Sequence, residues 1–170
     1  MKTALWISFA LNIVLALVSF LVSPGEVAIH FSTNGKPDDW APSYVNTLIT
    51  LGMNLILFVS FYLVPQLIHK TSARWISLPN KTYWLSPEHR ARTNALVTQQ
   101  MQQYGTFTFL FMLIVGLLAL QANLSDPVRF REDLFWPPFG IYMAYTIFWT
   151  VRLCWIFRLP KANKAPARSI

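Results

Sequence analysis

Charge is scarce in this chain of 170 residues: 12% are Asp, Glu, Lys or Arg. That is about half the share of an ordinary soluble domain, too little to cover a water-soluble globule with polar groups. Cysteine is scarcer still. The single Cys154 excludes an internal disulfide framework, and no Cys/His spacing suggests a structural zinc site. Six glycines and eleven prolines without a repeat exclude collagen-like and low-complexity chains. Acidic residues are few as well, 7 against 14 basic, which leaves a net charge of +7. Such an excess suggests nucleic acid or a membrane. With 54% hydrophobic and 15% aromatic residues the membrane is the better fit, and no nucleic-acid partner is expected.

What the chain has in abundance is long uncharged runs. Thr3 to Val22 is almost all apolar, and at about 1.5 Å per residue it spans a hydrocarbon core of about 30 Å. A cleaved signal peptide is the alternative for this run. Its apolar part is too long for that, and Ser23-Pro24-Gly25 is a poor cleavage site. A second run covers Tyr44 to Ile68, with Pro65 near its far end. The third is polar up to Gly105 and apolar from Thr106 to Leu120. The fourth follows Asp133 and ends at Val151 before Arg152, close to the lower length limit for a span. The expected spans are about residues 3–22, 44–66, 104–123 and 135–157, in one domain. The expected fold class is an all-α membrane protein, four transmembrane helices with an ordered outer loop and a cytoplasmic helix extending the third span.

Lys and Arg divide unevenly between the flanks. Lys36, Arg129 and Arg131 lie in the first and third connections, beside six acidic residues. Lys2, Lys70, Arg74, Lys81, Arg90, Arg92, Arg152, Arg158, Lys161, Lys164 and Arg168 lie on the other side with Glu88 alone. Cytoplasmic flanks carry the excess of Lys and Arg, so both termini are expected inside, with the basic side facing anionic headgroups of the bilayer.

Two connections carry information. In the first, Val27, Ile29 and Phe31 alternate with Ala28 and His30 as in a short strand, and Asn34-Gly35 suits a tight turn. Pro37-Asp38 continues extended, and Trp40 is expected at the membrane interface. Glu26, His30, Asp38 and Asp39 are ligand and proton-carrier types. Their spacing is no recognised metal or acid/base pattern, so they read as turn residues and an interfacial imidazole. In the second connection, Ser86-Pro87-Glu88 is a helix start with the hydroxyl at the N-cap. The helix is expected to run on through Gln99, Gln100, Gln102 and Gln103 into the third span. Trp75, Tyr83 and Trp84 beside Lys70, Arg74 and Lys81 read as a membrane-surface anchor. His69, Glu88 and His89 read as solvated polar groups.

Two amides, Asn12 and Asn54, fall near the middle of the first and second spans. Lipid offers an amide no partner. Ala4, Ser8, Asn12, Ala16 and Ser19 make a small-residue stripe, and Thr47, Thr50 and Asn54 share a face. These faces are expected to meet, with the amides bonded to each other or to facing backbone. A polar step in a substrate path is the alternative.

The stretch Ile29-His30-Phe31 with Asn34-Gly35, Pro37-Asp38 and Trp40, directly after a first membrane helix, resembles the bacterial family called domain of unknown function 1648. Leu78-Pro79-Asn80-Lys81 with Tyr83-Trp84-Leu85 and Pro87-Glu88 resembles a second block in short members of that family; together the blocks and their helices cover about residues 1 to 105. Members often have a serine-lysine pair after the tryptophan, where this chain has Ala41-Pro42-Ser43. The resemblance implies a multi-pass protein of the bacterial inner membrane, distantly related to Sdp-type immunity proteins, which protect cells from their own toxin and can sequester a repressor. The expected function is toxin immunity or membrane signalling and sequestration, with a protein or peptide partner at the outer or the cytoplasmic loop. A small transporter subunit or membrane enzyme is the alternative, against which no charged side chain lies mid-membrane. No nucleophile, base and oxyanion donor group together. No enzyme activity, cofactor or metal is therefore expected.

Overall fold

The structure is a computed structural model and describes residues 1–159, the side chain of His69 excepted; the expectations for His69 and for the basic residues Lys161, Lys164 and Arg168 lie outside the described residues. The chain order is α1 (Lys2–Val22), β1 (Glu26–Phe31), β2 (Pro37–Pro42), α2 (Ser43–Leu67), a short α3 (Lys81–Trp84), α4 (Pro87–Asn123) and α5 (Glu132–Ile156). α1, α2, α4 and α5 are each long and apolar enough to cross a membrane, which makes this a multi-pass membrane architecture. Apolar side chains such as Ile7, Leu48, Ile56, Ile147 and Phe148 point outward on these helices, as a hydrocarbon surrounding requires.

The all-α expectation needs one correction, since the first connection is a two-stranded antiparallel sheet. The expected alternation along β1 is corrected as well. Val27 and Ala28 are both buried while Ile29 and His30 are exposed. The pairing register slips between Ala28 and His30, and a slip of this kind turns successive side chains to the same face.

Local chemistry accounts for the helix ends. α1 stops because Ser23, preceding Pro24, is extended (ψ 154°). Within α2, Val59–Leu63 widens into a π-helical turn just before Pro65. Proline has no N–H for the carbonyl four residues back, and a widened turn redistributes the remaining bonds around that gap. α4 begins after Ser86, whose φ and ψ of −62° and 154° are those of an N-cap. The expected hydroxyl cap is absent. Ser86 Oγ instead meets His89 Nδ1 at 3.0 Å, and the His89 ring lies tilted against Tyr83 with centroids 4.0 Å apart, so His89 is not a solvated polar group.

α1 packs against both α2 and α4, and α5 packs on α4. The core lies where α1, α2 and α4 meet, around Leu5, Phe58, Phe61 and Phe109. There Gly105 of α4 sits directly on Phe61: a Cβ at Gly105 would lie 2.7 Å from the Phe61 Cβ and Cγ. On the α4–α5 face, Tyr104, Thr108, Tyr142 and Thr146 join hydroxyls at 3.1 to 3.2 Å, and Phe111 stacks on Tyr142.

Candidate functional site

The hairpin is held to the rest of the molecule from two sides. Asn123, the last residue of α4, accepts the Ala28 N–H at 2.7 Å through Oδ1 and donates Nδ2 to the Ala28 carbonyl at 3.1 Å. Its amide thus stands in for a neighbouring strand along the edge of β1. The turn is held by the α4–α5 connection, where the Phe130 N–H donates to the Gly35 carbonyl at 2.9 Å and the Phe31 and Phe130 rings lie 5.2 Å apart. Gly35 has a positive φ of 74°, and a Cβ there would collide with the Phe130 carbonyl oxygen. Asn34 completes the turn by accepting from Ser32 Oγ (2.6 Å) and the Lys36 N–H (3.1 Å). Beside this loop Asp133 pairs with Arg131 at 2.7 Å, and that hydrogen bonding raises the guanidinium pKa above its ordinary value.

Beneath the hairpin lies a cavity of about 590 Å³, within the range of small-molecule sites. Its lining is mixed: Asn12 and Ser19 of α1, Ser23 just past it, and Asn46, Thr47 and Thr50 of α2 bring polar groups, and Phe111, Met112, Val115 and Leu120 of α4 bring apolar ones. Asn12 and Asn54 lie at the deep end, and His30, Ser32, Thr33 and Glu132 at the rim. Asn12 Nδ2 donates to the Ser8 carbonyl (2.9 Å) and across to the Phe109 carbonyl of α4 (2.8 Å). Asn54 Nδ2 donates to Thr50 of its own helix (2.8 Å), and its buried Oδ1 accepts nothing. The two amides therefore face one cavity without bonding each other. Asn12 reaches facing backbone on the third span.

The remaining residues singled out in the hairpin have local tasks. His30 Nδ1 lies 2.5 Å from Asp38 Oδ1, both exposed, and Pro37 pairs with Phe31 at the strand ends. Trp40 is exposed. Glu26 pairs with Pro42 at the opposite end of the hairpin from His30. Among the described residues no three of His, Cys, Asp and Glu come together as a metal site.

The second sequence block forms a socket at the other end. Asn80, at a positive φ of 53°, donates Nδ2 to the Phe157 carbonyl at 2.8 Å, and Trp84 Nε1 donates to the same oxygen at 2.9 Å. Phe157 follows α5, so these two donors close the last helix. Trp84 is buried, against the expectation of a surface anchor, because its ring meets Phe157 edge-on at 5.4 Å and Thr93 Oγ1 donates to its carbonyl. Tyr83 is half-buried on His89, Pro79 is exposed, and only Trp75 stays fully outward, with Arg74 over its ring at 5.1 Å. Nearby, Arg90 donates to the carbonyls of Ile68 and Thr71, tying the end of α2 to α4.

Sequence reasoning passed over Asn123, Phe130 and Arg90, which carry the long-range bonds. Asn123 alone had a visible signal, an amide at the end of an apolar span. No protein-family model matches the chain, and no curated protein or solved structure matches it.

Proposed function

We propose that this chain is a non-catalytic binding protein of the bacterial inner membrane, with both termini cytoplasmic and the hairpin outside, acting in toxin immunity or in membrane signalling and sequestration. The observation that carries the reading is the hairpin clamped over a cavity. A strand edge held by Asn123 and a turn held by Phe130 keep an outward-facing pocket in one shape, which binding needs. The basic residues at the opposite end support the orientation. The resemblance to domain of unknown function 1648 supports the class, since both of its blocks fall on built features, the hairpin and the α5 socket.

Deleting the gene in its own host tests this. Immunity predicts that deleted cells become sensitive to compounds secreted by the parent strain and that plasmid expression restores protection. Signalling predicts an unchanged sensitivity and an altered transcript profile. The absence of both changes would refute the reading, and so would a reporter fused after Trp40 that is active only in the cytoplasm.

A further inference from the structure

One carboxylate lines the cavity without a partner. Glu132, the first residue of α5, belongs to the lining, and no Lys or Arg does. Its side chain makes no hydrogen bond or ion pair among the described residues, and its oxygens keep accessible surface, unlike the Asn54 Oδ1. The cations close to it in sequence are engaged elsewhere. Arg131 gives Nε and Nη2 to Asp133 at 2.9 and 2.7 Å, and Arg129 reaches the Asn34 carbonyl. His30, the other titratable residue of the lining, is paired with Asp38, so it brings no net positive charge to the rim. A carboxylate suits the positive end of a helix. Asp133 meets that need on α5 as well, yet it is Glu132 that lines the cavity.

The surroundings of this carboxylate are aromatic. Glu132, Phe135 and Trp136 stand at i, i+3 and i+4 on one face of α5, and all three line the cavity. Phe31 and Phe130 continue the lining. Ring centroids lie 5.2 Å apart from Phe31 to Phe130, 5.8 Å from Phe130 to Phe135 and 5.4 Å from Phe135 to Trp136, which makes one run of four rings. Ring faces attract a cation, most of all one that sheds its water easily. Deeper in, Ser19, Asn46 and Thr50 carry donors and acceptors alike, so they select no sign of charge. Glu132 does. Entry needs no gap between helices, since His30 and Thr33 of the same rim are exposed and Glu132 is only half-buried.

We propose that this rim binds a small organic cation with an alkylated (tertiary or quaternary) ammonium group and an apolar body, its nitrogen held by the Glu132 carboxylate and the rings of Phe130, Phe135 and Trp136. The body extends into the cavity along Phe111, Met112 and Val115. A primary ammonium, such as a lysine side chain, fits less well. It is strongly hydrated, and aromatic rings return none of the hydrogen bonds it would give up. This inference rests on reading the cavity as a binding site and names the ligand class for it.

The test uses the full chain in phosphatidylcholine nanodiscs, with binding to empty nanodiscs subtracted. The probe is tritiated phenylbutyltrimethylammonium, and its competitors are the neutral isostere with carbon in place of nitrogen and the primary amine phenylbutylamine. Saturable binding of the probe is expected, with both competitors displacing it about tenfold less well than the unlabelled probe does. Glu132→Gln should weaken the probe about tenfold and erase its advantage over the isostere. Asp39→Asn, which removes the same charge from the hairpin outside the lining, should leave binding within about twofold. Trp136→Leu keeps the lining apolar, and it should weaken the probe about threefold without changing the isostere. Should Glu132→Gln fail to fold, the order of the competitors on the parent decides alone. Equal displacement by the isostere overturns the ligand class and leaves the binding-site reading standing. So does equal displacement by the primary amine, which would point to a lysine-bearing peptide, or an equal loss in Glu132→Gln and Asp39→Asn. Absence of saturable binding by all three compounds overturns both.

Discussion

Three glycines in the spans should respond to the same substitution in three different ways. At Gly105 an added methyl would lie 2.7 Å from both Cβ and Cγ of Phe61 and 2.9 Å from Cδ2. Carbons at rest keep about 3.5 to 4.0 Å, so one helix must retreat by about 1 Å, and Cβ is the root of the side chain, which no rotamer change moves away. Phe61 is buried between Tyr104 and Phe109 with edge contacts to both, so the retreat also disturbs those rings. Overpacking of this kind costs about 1–3 kcal/mol, against up to about 1 kcal/mol gained when alanine replaces glycine in a helix. Gly105→Ala should therefore lose about 1–2 kcal/mol net. At Gly116 the only close atom is the Leu15 Cδ2 at 2.8 Å, a chain end beside the cavity with room to swing. Gly116→Ala should stay within about 0.5 kcal/mol of the parent. At Gly52 nothing lies within 4 Å, and Gly52→Ala should match or exceed the parent by up to about 1 kcal/mol. Reversible unfolding by sodium dodecyl sulfate in mixed micelles measures all three. A Gly105→Ala protein as stable as Gly52→Ala would refute the close crossing of α2 and α4.

Asn12→Leu should cost about 0.5–1.5 kcal/mol in the same titration; the low end is favoured because the Phe109 carbonyl it leaves belongs to a helix, and an unchanged midpoint would remove the bond's energetic role. Gly35→Val should open the turn, losing about 1–3 kcal/mol from positive φ and the Phe130 collision together, and protease cutting between Ser32 and Lys36 should appear; an uncut, fully stable variant would contradict the turn. Trp84→Phe should remove one of the two donors to the Phe157 carbonyl and cost about 1 kcal/mol, read as faster amide exchange in the last turn of α5. Exchange equal to the parent's would show that Asn80 holds the helix end alone.

Much of the architecture was open to sequence reasoning because hydrocarbon imposes a strict rule: an uncharged run of sufficient length has to be a helix. The runs starting at Thr3, Tyr44, Thr106 and Leu134 obey it, and each falls on one long helix, with Ile68 at the end of the second just past it. The hairpin was half legible. Asn34-Gly35 marked the turn, but the alternation of Val27, Ile29 and Phe31 could not reveal the register slip that buries Ala28, since a slip depends on which partner holds the edge. Trp84 shows the same limit from the other direction. An aromatic near basic residues reads as a surface anchor until Phe157, 73 positions away, covers it. Asn12 and Asn54 were conspicuous as amides in lipid-facing sequence, yet nothing local said that Asn12 would reach α4 or that Asn54 would keep an empty acceptor.

α4 is a beam that α1 and α5 line along its length and that three further contacts fix at points. Its 37 residues make a rod about 55 Å long, gripped at Asn123 by the hairpin, at Gly105 by Phe61 and at Arg90 by the end of α2. No proline interrupts it after Pro87, so it has no built-in joint to absorb bending. Gly105 stands about 27 Å from one grip and about 22 Å from the other. Held at both ends, near its middle and along α1 and α5, it ties the hairpin and the Arg90 contact to one frame, so neither end shifts without the whole helix.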